Sequence, residues 1–238
     1  MATDPHSAKS VTRHANALLW LLILVAALST LSSTLGLAVL HFVFKPLTVL
    51  VAITLVAVRV DTTGARALFD IYLLAALVAS LAGDVFLMLP GNYFIPGLAS
   101  FLVAHLFYIA LFRQAVPWFP SRGALLSTLG VGGAMYAWVW GGLADPVLKV
   151  AVAAYVSVIA LMVAQAIGRA VVVRDAPARA VGLGACIFML SDSLIAINRF
   201  VQPLPLVSLW VLASYYTAQI LIVHYARPIA QVAPATLA

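Results

Sequence analysis

Apolar residues run along this chain in long, nearly unbroken stretches. Eight of them lie at about residues 17–33, 35–58, 67–89, 94–115, 124–142, 147–169, 179–198 and 205–226. Each approaches the roughly 20 residues a helix needs to cross the hydrocarbon core of a bilayer. The pattern predicts an all-α, polytopic integral membrane protein. Its single domain, 17–226, is a bundle of eight transmembrane helices, with polar tails at 1–16 and 227–238. The first stretch has a basic flank, a short apolar centre and a Ser/Thr-rich end, so it also reads as a signal peptide. No clean small-x-small cleavage motif follows it, and it is taken as a retained helix.

Polar residues inside these stretches stand out. Leu81-Ala-Gly-Asp-Val-Phe-Leu-Met-Leu-Pro90 sets one carboxylate, Asp84, in an apolar run, and Phe188-Met-Leu-Ser-Asp-Ser-Leu-Ile-Ala-Ile-Asn198 repeats the setting with Asp192. A charged side chain within a span is costly unless it faces the bundle interior or water, and such residues mark functional sites. At about 1.5 Å per residue, both aspartates fall roughly 8–9 Å below the outer ends of their helices. Lys45, His105 and Tyr215 fall roughly 14–17 Å down theirs. The strongest polar groups of five helices thus share one slab. Helices 3–4 and 7–8 also echo each other, either as a duplicated four-helix unit or because short apolar helices resemble one another.

Composition agrees. Of 238 residues, 65% are hydrophobic and only 8% charged, whereas soluble domains are about a quarter charged. The seven acidic residues are all aspartates. The net charge of +6 comes mostly from arginines in alternate short loops, so it reports orientation rather than nucleic-acid binding. Arg59 and Arg66, Arg113 and Arg122, and Arg169, Arg174 and Arg179 mark the inner loops, which predicts both termini in the cytoplasm and a location in the cell membrane. The single Cys186 excludes an internal disulfide and a Cys-rich metal site.

Each candidate residue has a functional and a plain reading. Asp84 and Asp192 are either hydrated interhelical partners or a carboxyl pair. In such a pair, low dielectric and a neighbouring like charge keep one member protonated as a general acid. Lys45 precedes Pro46 within helix 2, and serves as the cation for an aspartate or for a phosphate. His105 and Tyr108 share a face of helix 4, and Tyr215 and Gln219 a face of helix 8. All four read either as site lining or as interhelical glue. Asn198 and Arg199 end helix 7 as interfacial anchors or headgroup contacts. Trp118, Trp138, Trp140 and Trp210 fit the aromatic belt. A zinc-dependent lipid hydrolase would draw on His41, His105, Asp84 and Asp192, but no His-x-x-x-His pair supports it. No metal or cofactor is expected. A proton-coupled carrier is the other alternative, because intramembrane Asp, Lys and His also build proton relays.

Lys45-Pro46-Leu47, Gly83-Asp84-Val85-Phe86-Leu87-Met88, the Phe101-to-Tyr108 stretch with His105, Ser191-Asp192 and Tyr215-Tyr216-x-x-Gln219 together resemble the YhhN-like lysoplasmalogenase family. The resemblance covers about residues 35–225. It implies eight transmembrane helices and hydrolysis of the vinyl ether bond of a lysoplasmalogen, a single-chain ether phospholipid, to a fatty aldehyde and a glycerophospho-base. It also implies that Lys45, Asp84, His105, Asp192, Tyr215, Tyr216 and Gln219 belong to the site. The chemistry suits two carboxyls, since a vinyl ether resists base and nucleophiles but yields to acid. One carboxyl would donate a proton while the other stabilises the cation, a division of labour that glycosidases use. Lys45 or Arg199 would then hold the phosphate.

Overall fold

Helices account for all the regular structure among the described residues, 5–59 and 65–229, of this computed structural model. They are α1 (Pro5–Thr34), α2 (Ala38–Ala57), α3 (Ala65–Met88), α4 (Phe94–Arg113), α5 (Arg122–Val139), α6 (Pro146–Val173), α7 (Ala176–Phe200) and α8 (Val207–Tyr225). A 3₁₀ turn, Trp140–Gly142, extends α5. The helix starts carry their own signals. Asp145 accepts from Val147 N at 2.8 Å to cap α6, and Asp175 accepts from Ala178 N at 2.7 Å to cap α7. A proline follows each cap within the first helical positions, where its missing N–H costs nothing. Two of the seven aspartates thus serve helix ends.

α1 begins at Pro5, well before the apolar stretch that marks it in the sequence. The apolar stretch occupies only the later part of the described helix.

The helices pack side by side in a closed ring, in the order α1, α2, α3, α4, α6, α7, α8 and back to α1. α5 stands outside this ring against α6, with a slight contact to α7. Outward faces are apolar: Trp20, Val39, Leu126 and Val150 are all at least 70% exposed. Such a surface suits lipid rather than water. Seven helices are long and apolar enough to cross a membrane, and α5 is the exception. Its 18 residues begin at Arg122 and include four glycines, which dilute its apolar character. The sequence predicts eight transmembrane helices; among the described residues seven helices meet the requirements of a span.

Tight packing places the core of the ring at the level of the polar residues. Gly83 lets the Phe101 ring lie directly on α3, where a Cβ would come within 2.6 Å of that ring. Gly142 likewise sits on the backbone of Phe200 and ties the end of α5 to the end of α7.

Candidate functional site

Six helices of the ring, α2, α3, α4, α6, α7 and α8, turn polar or aromatic groups inward on one another. The centre is Phe188 of α7, fully buried, with the rings of His105 at 4.9 Å, Tyr215 at 5.4 Å and Phe101 at 6.3 Å between centroids. The two aspartates lie on either side of this aromatic core.

Their surroundings differ. Asp84 is only 2% exposed. Lys45 Nζ lies 3.3 Å from its Oδ1, and the Tyr215 hydroxyl donates to its Oδ2 at 2.7 Å. Behind Tyr215 the bonding continues. Gln219 Nε2 donates to the Tyr215 oxygen at 3.3 Å, and Tyr108 donates to Gln219 Oε1 at 2.7 Å. Four helices thus fix one carboxylate with a cation and a hydroxyl, the full pairing that a buried charge requires. Tyr216 faces the other way and exchanges a 2.7 Å hydrogen bond with Ser29 of α1, which draws α1 into the packing.

Asp192 has no cation beside it among the described residues. Its Oδ2 accepts a short hydrogen bond from the Tyr155 hydroxyl of α6, and no described residue bonds its Oδ1. Unlike Asp84 it is partly exposed. It opens into a cleft between α4, α5, α6 and α7 whose other walls include Leu98, Met135, Val156 and Ile159. The cleft has a volume of about 60 Å³ and is partly open. Asp192 is the one ionisable carboxyl on that wall. Ser191 donates to Val211 O of α8 at 3.0 Å, which sets the rotation of α7 and so the direction of its neighbour Asp192.

His105 lies between the two halves, fully buried, with its ring 5.3 Å from that of Tyr155. Neither ring nitrogen has a partner among the described residues, which is unusual for a buried polar group. Asn198 and Arg199 stay apart from the carboxylates. Asn198 Oδ1 accepts from Leu204 N at 2.9 Å and closes the turn before α8. Arg199 lies over the Phe94 ring at 4.2 Å, at the end of the cleft. His41 turns to Ser29 O at 3.3 Å, and no three His, Cys, Asp or Glu side chains gather into a metal site among the described residues. The zinc donor set of the sequence reading is therefore not assembled there.

Tyr155 was not among the residues that the sequence singled out. Its signal is slight: it is the sole aromatic residue of α6, in a run of alanine and valine. Gln165 and Arg169, also on α6, are buried polar groups with structural partners. Gln165 bonds Pro117 O and Phe119 N, and Arg169 holds the carbonyls of Gln114 and Arg227.

A family model described as the YhhN family matches residues 40–226. Among curated proteins, the human lysoplasmalogenase TMEM86B is 36% identical over 147 residues, 62% of this chain and 59% of that protein. A lysoplasmalogenase of Mycobacterium tuberculosis (strain CDC 1551 / Oshkosh) is 32% identical over 160 residues, 63% of this chain and 58% of its own length. The bovine lysoplasmalogenase TMEM86A is 33% identical over 150 residues, 61% of each chain. The match thus spans about three fifths of each of these relatives. No solved structure matches the chain.

Proposed function

The chain belongs to the YhhN family, and from that premise and its divided carboxylates we propose that it is a membrane hydrolase of the lysoplasmalogenase type. The reading rests above all on Asp192, a carboxyl without a cation at the wall of an apolar cleft, held by Tyr155.

The two aspartates take different parts. Asp84, paired with Lys45 and Tyr215, is the fixed negative charge. Asp192 is the acid. Tyr155 donates to its Oδ2, which leaves Oδ1 as the oxygen that carries the proton. Asp192 gives this proton to the β-carbon of the vinyl ether, whose double-bond electrons form the new C–H bond. The resulting oxocarbenium ion faces the carboxylate that Asp192 becomes on giving up its proton, and that charge stabilises it, an electrostatic role that low dielectric strengthens. Water adds to the cationic carbon and returns a proton to Asp192. The hemiacetal then collapses: Asp192 gives its regained proton to the glycerol oxygen as that C–O bond breaks, the hemiacetal O–H bond becomes the carbonyl π bond, its proton returns to Asp192, and a fatty aldehyde leaves. Net consumption is one water per ether bond. The apolar cleft receives the chain, and lateral access from the bilayer fits its position between α5 and α7.

The test is incubation of purified protein in detergent with a lysoplasmenyl phospholipid, with the aldehyde trapped as it forms. Aldehyde is expected from the vinyl ether and none from the saturated 1-alkyl analogue, which cannot form the cation by protonation. No aldehyde from the vinyl ether would refute the reading, and proton flux into vesicles in its place would favour a carrier.

A further inference from the structure

A lysophospholipid brings a phosphate with its vinyl ether, and something must set the depth at which that phosphate rests. Two cations were candidates in the sequence. Lys45 is spent: its ammonium sits 3.3 Å from Asp84 in a closed core, with an 11% exposed side chain. Giving it to a phosphate would leave the buried Asp84 without its cation, which is strongly unfavourable.

Arg199 is in the opposite condition. It is exposed, in the last turn of α7. Its guanidinium lies over the rings of Phe94 and Phe200, at 4.2 and 5.8 Å, and both rings line the end of the Asp192 cleft. No carboxylate pairs with it among the described residues. The two rings stand nearly perpendicular, at 80°, so the guanidinium sits in the corner between them, and without a carboxylate partner its N–H groups are free to take two oxygens at once, the arrangement in which arginine binds phosphate.

Spacing agrees with this. Arg199 follows Asp192 by seven residues, two turns on one face of α7, hence roughly 10 Å along the axis. From phosphorus to the β-carbon of a lysoplasmalogen there are seven bonds: P–O, O–C, C–C, C–C, C–O, O–C and C=C. At the roughly 1.2 Å per bond of an extended chain they span about 8–9 Å. We propose that Arg199 anchors the substrate phosphate, and that this anchor sets the vinyl ether at Asp192 with the alkenyl chain running on toward Gly132 and Ile159. The proposal rests on the lysoplasmalogenase reading above. It makes the protein selective for the phosphate and indifferent to the base beyond it, so ethanolamine and choline lipids should serve equally.

The test compares a lysoplasmenyl phospholipid with 1-alkenylglycerol, which has the same ether and no phosphate. Arg199→Ala should raise KM for the phospholipid about ten- to a hundredfold, the range for a charge-assisted contact, with kcat nearly unchanged. KM for the alkenylglycerol should not move. Arg199→Lys should recover part of the loss, and Lys149→Ala, which removes the cation over Trp140, should change neither substrate. Equal effects on both substrates would mean a structural role, and no effect would mean no anchor; either overturns the proposal. Binding of the uncleavable 1-alkyl lysophospholipid, against 1-alkylglycerol and inorganic phosphate, gives an independent reading. If no variant and no parent releases aldehyde, the hydrolase reading falls. The anchor then stands only if Arg199→Ala weakens binding of the alkyl lysophospholipid and leaves that of the alkylglycerol unchanged. A parent that binds free phosphate as well as it binds the lipid would also overturn the proposal.

Discussion

A lysine beside one aspartate, and its absence beside the other, separates two residues that look alike in sequence. Asp84 and Asp192 were legible as site candidates because a carboxylate in an apolar run is conspicuous. Their difference was not, because it depends on which side chains other helices bring to them. Tyr155 was hidden for a related reason: a tyrosine in an apolar helix looks like packing until its hydroxyl meets Asp192. The asymmetry has consequences for stability. Lys45→Met leaves Asp84 buried without its cation and should cost about 3–5 kcal/mol, seen as a large fall in melting temperature. Adding Asp84→Asn to Lys45→Met should recover much of that loss, because no charge is then left uncompensated. A double variant no more stable than Lys45→Met would show that the pair is not what holds these helices together. Tyr155→Phe removes the hydroxyl that orients Asp192, yet it keeps the ring against His105. It should lower kcat more than it changes KM, and an unchanged kcat would remove Tyr155 from the mechanism. In the parent, turnover should fall as pH rises, since the donor works only with its proton on; a rate that climbs steadily with pH would point to a base instead.

At the scale of elements, the apolar runs located the helices because hydrocarbon demands length and uniform hydrophobicity. Ends were less legible. α1 is already helical at Pro5, ahead of the stretch that apolar counting registers. α5 is the other departure, short and glycine-rich, outside the ring of seven. Whether it crosses decides whether the two termini share a side. If it crosses, cysteines placed at Asn92 and Ala144 should react with an impermeant reagent from outside and one at Ser121 should not, after Cys186 is removed. Equal labelling at Ser121 and Ala144 would leave α5 on one side of the membrane. Gly83 tests the close approach of α3 to Phe101. Gly83→Ala should push that ring, and with it the wall between Asp84 and the cleft, at a cost of about 1–3 kcal/mol. An unshifted melting temperature would mean that the contact relaxes freely.

For the whole molecule, the sequence identified the polar level shared by several helices but not the order in which they close around it. That order puts α6 between α4 and α7, so Tyr155 reaches Asp192 while the aromatic cluster separates Asp192 from Asp84. The account reduces to one claim: Asp192 supplies the proton that opens the ether. The most direct measurement is aldehyde release from a lysoplasmenyl phospholipid by Asp192→Asn, in protein that elutes and melts like the parent. The account predicts a loss of at least about a hundredfold, the lower range for a positioned general acid. Turnover within a few fold of the parent in that folded variant would contradict it.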